Sequence, residues 1–151
     1  MKKTIRGDLI DLALEGRFEV IIHGCNCFCA MDAGIAKTIK KVFPKAYEVD
    51  CKTKKGARQK LGTISSAEIL QKQNTITVVN GYTQYNWNGE GVLADYNAIR
   101  SVMIKVRKLF GGKSIGYPRI GAGLAKGDWK IISQIIEEEL SNENHTLVVR
   151  S

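Results

Sequence analysis

Tyr117-Pro118-Arg119-Ile120-Gly121-Ala122-Gly123-Leu124-Ala125-Lys126-Gly127-Asp128-Trp129 decides how this chain is read. A short β-like run, Ser114 to Tyr117, precedes it, and an apolar-periodic segment, Trp129 to Leu140, follows it. The glycines therefore occupy a strand-to-helix turn. Gly121, Gly123 and Gly127 have no Cβ, so the backbone there is free to take positive φ and to approach a ligand closely. Such a loop aims several N–H groups at one anion. It also reads as a plain tight turn before a helix, with Asp128 as N-cap. A second loop tilts the balance toward a ligand. Met31-Asp32-Ala33-Gly34-Ile35-Ala36 likewise follows a strand and opens a helix.

Outward from these loops, strands and helices alternate. Thr4 to Asp8 reads as a first strand ending in Gly7-Asp8, and Leu9 to Glu15 as a turn. Asp8 either caps that turn or accepts a hydrogen bond from a ligand amino group. Val20-Ile21-Ile22-His23-Gly24-Cys25-Asn26 begins as an unbroken apolar run, which suits a central strand covered on both faces. Its polar switch at His23 and Asn26 marks a carboxyl end, where α/β sheets take their ligands. His23 has two readings, a satisfied buried histidine and a functional one. Asn26 also has two, a partner for a sugar hydroxyl and a turn residue.

Ile35, Ala36, Ile39, Val42 and Phe43 recur at helical spacing. Pro44 ends that helix or starts the next, and Ala46 to Cys51 forms a short second one. Lys52 to Lys60 is a basic loop. Leu61 to Ser65 and Thr75 to Gly81 read as strands, and Gln71 to Asn74 as the turn of an antiparallel hairpin. Tyr82 to Gly91 is polar, aromatic and glycine-rich, either a binding loop or a mobile excursion. Asp95 to Phe110 is the clearest helix, with Ile99, Val102, Met103, Val106, Leu109 and Phe110 on its apolar stripe. Leu147 to Arg150 closes the sheet. The pattern predicts one domain over residues 1–151, a three-layer α/β/α architecture with a mixed central sheet.

The chain has 151 residues, 44% of them hydrophobic and 25% charged, the balance of an ordinary globular domain. No apolar run is long enough for a membrane span. The start, Met1 to Asp8, breaks off before a signal-peptide core forms, so a cytoplasmic location is expected. His23, Cys25, Cys27 and Cys29 alternate, but residues two apart are strung out along a strand and suit one tetrahedral ion poorly. Reduced thiols and no metal are expected. The formal charge is +8, and nine of the 23 basic residues fall between Lys37 and Lys60, against only Glu48 and Asp50 there. This favours anionic partners, although a solvated basic face is the simpler reading. Aromatics are not interleaved with the basic run, as a nucleic-acid stacking platform requires.

Asp8, His23, Asn26 and the two glycine loops all lie at strand ends and converge on one crevice. Loop amides suit a diphosphate, a carboxylate suits an exocyclic amine, and a polar turn suits a second sugar. Taken together these residues resemble the macrodomain family. Gly7-Asp8-Leu9-Ile10 is similar to its first-strand motif, which implies that Asp8 reads adenine. His23-Gly24-Cys25-Asn26 sits where many members carry an Asn-rich motif at the distal ribose. Ala33-Gly34-Ile35-Ala36 and Arg119-Ile120-Gly121-Ala122-Gly123-Leu124 resemble the two diphosphate loops.

Within the family, Ile22 to Cys27 followed by Gly34-Ile35-Ala36 is similar to ADP-ribose-1''-phosphate phosphatases of the yeast type. The run Arg119 to Trp129 resembles phage-type stand-alone members. The resemblance implies hydrolysis of ADP-ribose-1''-phosphate to ADP-ribose and phosphate, with no cofactor, by a monomer. His23 would then serve as acid/base, Asn26 as a ribose-phosphate ligand, and Asp128 as orienter of a water or merely as a helix cap. Related glycohydrolases pair a lysine with an aspartate, at places that here hold Gly81 or Tyr82, and Ala125. Two other outcomes stay open: removal of ADP-ribose from a protein or nucleic acid, and ADP-ribose binding without chemistry.

Overall fold

The computed structural model describes residues 2 to 150. The chain runs through strand β1 (Lys2–Arg6), helix α1 (Leu9–Leu14), strand β2 (Val20–Cys25) and helices α2 (Gly34–Val42) and α3 (Pro44–Cys51). Strands β3 (Ile64–Leu70) and β4 (Thr75–Tyr82) follow, then helix α4 (Tyr96–Phe110), strand β5 (Ile115–Tyr117), helix α5 (Trp129–Glu139) and strand β6 (His145–Val149). The six strands form one mixed sheet in the order β1-β6-β5-β2-β4-β3. All neighbours are parallel except β3 and β4, which pair as the expected antiparallel hairpin. The expected three-layer architecture is what forms.

β2 lies inside the sheet because Val20, Ile21 and Ile22 are buried on both faces. Val20 and Ile22 pack with Ile99, Val102, Met103 and Val106 of α4 and with Ile132 and Ile136 of α5. Ile21 packs on the other face, with Leu9, Ile10 and Ala13 of α1, Ile39 of α2 and Ala46 of α3. Each such aliphatic side chain contributes about 1.5–3 kcal/mol when fully buried. A strand clamped from both sides carries a rigid carboxyl end; one glycine loop leaves the sheet there and the other leaves from the same end of its parallel neighbour β5.

Several boundaries differ from the sequence reading. The first strand ends at Arg6, and Leu9 to Leu14 is a helix rather than a turn, started by Asp8, whose Oδ1 accepts the Asp11 N–H at 3.0 Å. Strand β3 starts at Ile64 and runs on to Leu70. It is an edge strand with only Ala67 buried, held by its ladder to β4, so its composition under-reports it. β6 starts two residues earlier than expected, because His145 and Thr146 are buried polar residues. His145 Nδ1 lies 2.7 Å from the Tyr117 hydroxyl. Among the described residues no helix is long and apolar enough to cross a membrane.

Candidate functional site

Two adjoining cavities lie at the carboxyl ends of the parallel strands. The first, about 340 Å³, is lined by Asn26, by Asp32 to Ala36 and by Arg119, Gly121, Gly123, Leu124 and Ala125. The second, about 450 Å³, is lined by Gly7 to Ile10, Thr38 and Val148 to Arg150. Ile35, Pro118 and Arg119 line both, so the two form one continuous cleft. The glycine loops face each other across it. A Cβ built on Gly34 would lie 3.8 Å from Leu124 Cδ1.

The loops are held differently. Between β5 and α5, Ile120 and Ala125 are buried in the core, and Gly127 N donates to Gly121 O at 2.7 Å. Between β2 and α2, polar bonds add to a small apolar cluster that includes Cys27, Phe28 and Met31. Asn26 Oδ1 accepts from Phe28 N at 2.8 Å while its Nδ2 donates to the Ala30 carbonyl at 2.9 Å. That loop delivers the N-terminus of α2 into the cleft, and no side chain caps it; Ala33 holds the cap position. Helices α1, α4 and α5 each begin instead with a capping aspartate, Asp8, Asp95 and Asp128. A helix start with its N–H groups left open and a positive dipole end is an anion site.

The expected site residues divide. Asp8, Leu9, Asn26, Ala33, Gly34, Ile35, Ala36, Arg119, Gly121, Gly123 and Leu124 all line the cleft. Ile120 and Ala122 do not; they pack against the core and anchor the second loop. Asn26 reaches the cavity wall, but its carboxamide is occupied in holding the turn.

His23 has the surroundings of the satisfied buried histidine, the first of its two readings. Its ring is fully buried and lines neither cavity. Asn80 donates through Nδ2 to the Ala46 carbonyl, so its Oδ1 faces His23 Nε2, 2.7 Å away, and Nε2 carries the proton. Burial pushes the His23 pKa down to about 4 against that hydrogen bond, which keeps the ring neutral. A neutral imidazole sealed from the cleft has no access to a reacting group. Asp128 takes the capping one of its two readings. Its Oδ1 accepts from Lys130 N at 2.9 Å, and it caps α5 outside the cavity lining.

Asp32, Gln84, Trp87 and Cys25 also line the first cavity; the sequence reading held them only within longer stretches, Gln84 and Trp87 in the candidate binding loop 82–91. Gln84 is held there by its bridge to Ala94. Among the described residues Asp32 is the one carboxylate on that cavity's lining, and no lysine lines either cavity. All four cysteines are free thiols, and burial raises the Cys25 thiol well above the usual range. Among the described residues no three His, Cys, Asp or Glu side chains are placed to hold a metal ion.

The profile of the Macro domain family matches residues 22–136. The chain belongs to the macrodomain family. It is 37% identical over 140 residues to an uncharacterized 17.5 kDa protein in the tk-vs intergenic region of Enterobacteria phage T4, covering 89% of this chain and 87% of that one. It is 26% identical over 131 residues to the DNA ADP-ribosyl glycohydrolase of Mycobacterium tuberculosis, covering 85% of this macrodomain but only 35% of the relative. A shorter match, 45% over 47 residues, links 31% of the chain to 22% of the ADP-ribose 1''-phosphate phosphatase of Aspergillus oryzae. Among solved structures, the macrodomain of Mycobacterium tuberculosis DarG superposes with TM-score 0.77 at 19% identity, over 99% of this chain and 97% of that one. Thermosipho africanus DarTG in complex with ADP-ribose superposes with TM-score 0.73 at 17% identity, over 95% of this chain and 39% of that one.

Proposed function

We propose that this macrodomain binds ADP-ribose along the cleft and hydrolyses ADP-ribose-1''-phosphate to ADP-ribose and phosphate. The observation that carries the binding is the uncapped start of α2, opening into the cavity opposite the 119–124 loop. In this reading the diphosphate sits between the α2 N–H groups and the amides of that loop. Asp8 receives the adenine amine in the second cavity, and the distal ribose lies toward Asn26 and Gln84. The short likeness to a phosphatase supports the reaction. Water attacks phosphorus, the bond from phosphorus to the ribose oxygen breaks, and that oxygen takes a proton. With His23 and Asp128 outside the cavity, Asp32 is the carboxylate at hand to accept the proton of the water.

Incubation with ADP-ribose-1''-phosphate, following free phosphate, tests the reaction. Asp32→Asn is expected to slow release about 10²–10⁴-fold, the usual worth of a general base, while ADP-ribose still binds in calorimetry. No heat from ADP-ribose ends the reading of the cleft. Heat without phosphate release ends the phosphatase reading and leaves a binding module or a second activity.

That second activity is removal of ADP-ribose from nucleic acid. The likeness to a DNA ADP-ribosyl glycohydrolase supports it, because it spans far more of the chain than the phosphatase match. Release of ADP-ribose from a modified oligonucleotide distinguishes it. The lysine that related glycohydrolases use has no counterpart on the cavity lining.

A further inference from the structure

At the Asn26 and Gln84 end of the first cavity the wall is Trp87, an indole with 53% of its surface exposed. An exposed tryptophan at a cavity mouth needs a reason, and its surroundings supply one. Phe28 holds Trp87 edge to face at 5.3 Å between centroids and holds Tyr85 the same way at 4.9 Å. The Arg58 guanidinium lies 4.0 Å above the Tyr85 ring. Tyr85 donates its hydroxyl to the Gly56 carbonyl at 2.8 Å, so the basic loop is tied to the aromatic group. Lys52, Lys54, Lys55 and Arg58 are all exposed on that loop, and no acidic residue occurs from Cys51 to Ala67. The aromatics that the linear basic run lacks are brought to it by folding.

We infer that Trp87 and the Lys52–Arg58 loop form a platform for a single-stranded nucleic acid, with one base stacked on the indole and the backbone on the lysines. The chemistry is that of sequence-tolerant single-strand binding: an aromatic face for a base, and cations along the phosphates. The platform adjoins the cavity where the distal ribose would lie. It therefore fits a strand that carries ADP-ribose or enters beside it. This deepens the nucleic-acid reading above and rests on the same cleft.

The test uses the full chain and a fluorescein-labelled 12-mer of thymidine, read by anisotropy across a salt series. The wild type is expected to bind the single strand more tightly than a duplex of equal length. Trp87→Leu is expected to weaken single-strand binding by about 5- to 150-fold, the range for loss of one stacked base, and Trp87→Phe to restore most of it. Lys54→Gln with Lys55→Gln is expected to lower the slope of log K against log salt by about 1.4, at about 0.7 per phosphate contact on single strands. The heat of ADP-ribose binding to the lysine double variant is expected to stay unchanged.

Equal binding by Trp87→Leu and wild type overturns the platform. So does equal affinity for duplex and single strand, or displacement by an oligoglutamate peptide at matched charge, either of which reduces the patch to an unselective polyanion surface. ADP-ribose binding without oligonucleotide binding removes the platform and leaves the cleft reading intact. Absence of ADP-ribose binding removes the cleft reading by itself.

Discussion

The two glycine loops look alike in sequence and are held by different means. The 118–128 loop is moulded onto apolar residues. A Cβ on Gly121 would meet Ala94, Ile99 and Ile132 at 3.2–3.3 Å, and Gly121 adopts φ +75°. A Cβ on Gly127 would come within 2.5 Å of the Gly121 carbonyl oxygen. The 26–36 loop is backed by polar groups. His23 bonds Asn80, Asn80 donates to the Ser65 hydroxyl at 3.1 Å, and that hydroxyl lies 2.9 Å from the Tyr82 hydroxyl. Tyr82 in turn donates to Asp50 at 2.7 Å, and Lys60 donates to the Cys27 carbonyl at 3.1 Å. One wall of the cleft is therefore fixed by packing. The other adds a hydrogen-bond network to a small cluster of Cys27, Met31 and Tyr82 and leaves a helix terminus open.

If the first wall is set by packing, the largest effect belongs to Gly127→Ala. The added methyl has to displace a backbone carbonyl and Ile132 Cδ1, 2.8 Å away. Overpacking of this kind costs about 3 kcal/mol, read as a shifted midpoint in urea. Gly34→Ala meets only Leu124 at ordinary contact distance and has φ +59°. It is expected to cost about 1 kcal/mol for the left-handed backbone alone. Equal losses at the two positions would erase the distinction between the walls.

The second wall is expected to weaken in acid. His23 has a pKa of about 4 in the folded chain against 6.5 when exposed, so the unfolded state takes up its proton first as pH falls. Stability is present above pH 6.5 and is lost between pH 6.5 and pH 4, up to about 3 kcal/mol at 1.36 kcal/mol per unit. Asp50, held above the usual carboxylate range by burial, offsets part of this near the acid end. Urea titrations at pH 7 and pH 4.5 measure the loss. His23→Gln keeps a donor toward Asn80 and is expected to flatten the curve; an unchanged curve would place the acid sensitivity elsewhere.

What could be read in advance follows the same division. The apolar stripes of α4 and α5, the clamped strand β2 and both loops were legible, because their signals lie within a few residues of each other. The caps at Asp8 and Asp128 were legible as alternatives for the same reason. The fate of His23 was not, because its partner Asn80 stands 57 residues away and burial is a property of the whole sheet. Nor was the grouping of Phe28, Arg58, Tyr85 and Trp87, which depends on the 52–60 and 83–94 loops meeting beyond the strand ends. The far part of edge strand β3, Ser66 to Leu70, escaped because hydrogen bonds, not apolar burial, hold it.

The smallest change in stability carries the sharpest test of the open terminus. Ala33 holds the N-cap position of α2 with φ −145° and ψ 160°, the extended conformation a capping residue adopts. Ala33→Asp can therefore cap the helix without moving the backbone and is expected to raise stability by about 1 kcal/mol. The same carboxylate occupies the N–H groups offered to a diphosphate and sets a negative charge beside it. A charge 4 Å from another costs from about 1 kcal/mol in water to about 4 kcal/mol near a protein surface. ADP-ribose affinity is thus expected to fall at least about fivefold while the protein melts higher. Ala33→Ser caps without charge and is expected to stabilise similarly with a smaller loss of affinity. If both variants gain stability and bind ADP-ribose as the wild type does, the start of α2 is not where the diphosphate lies.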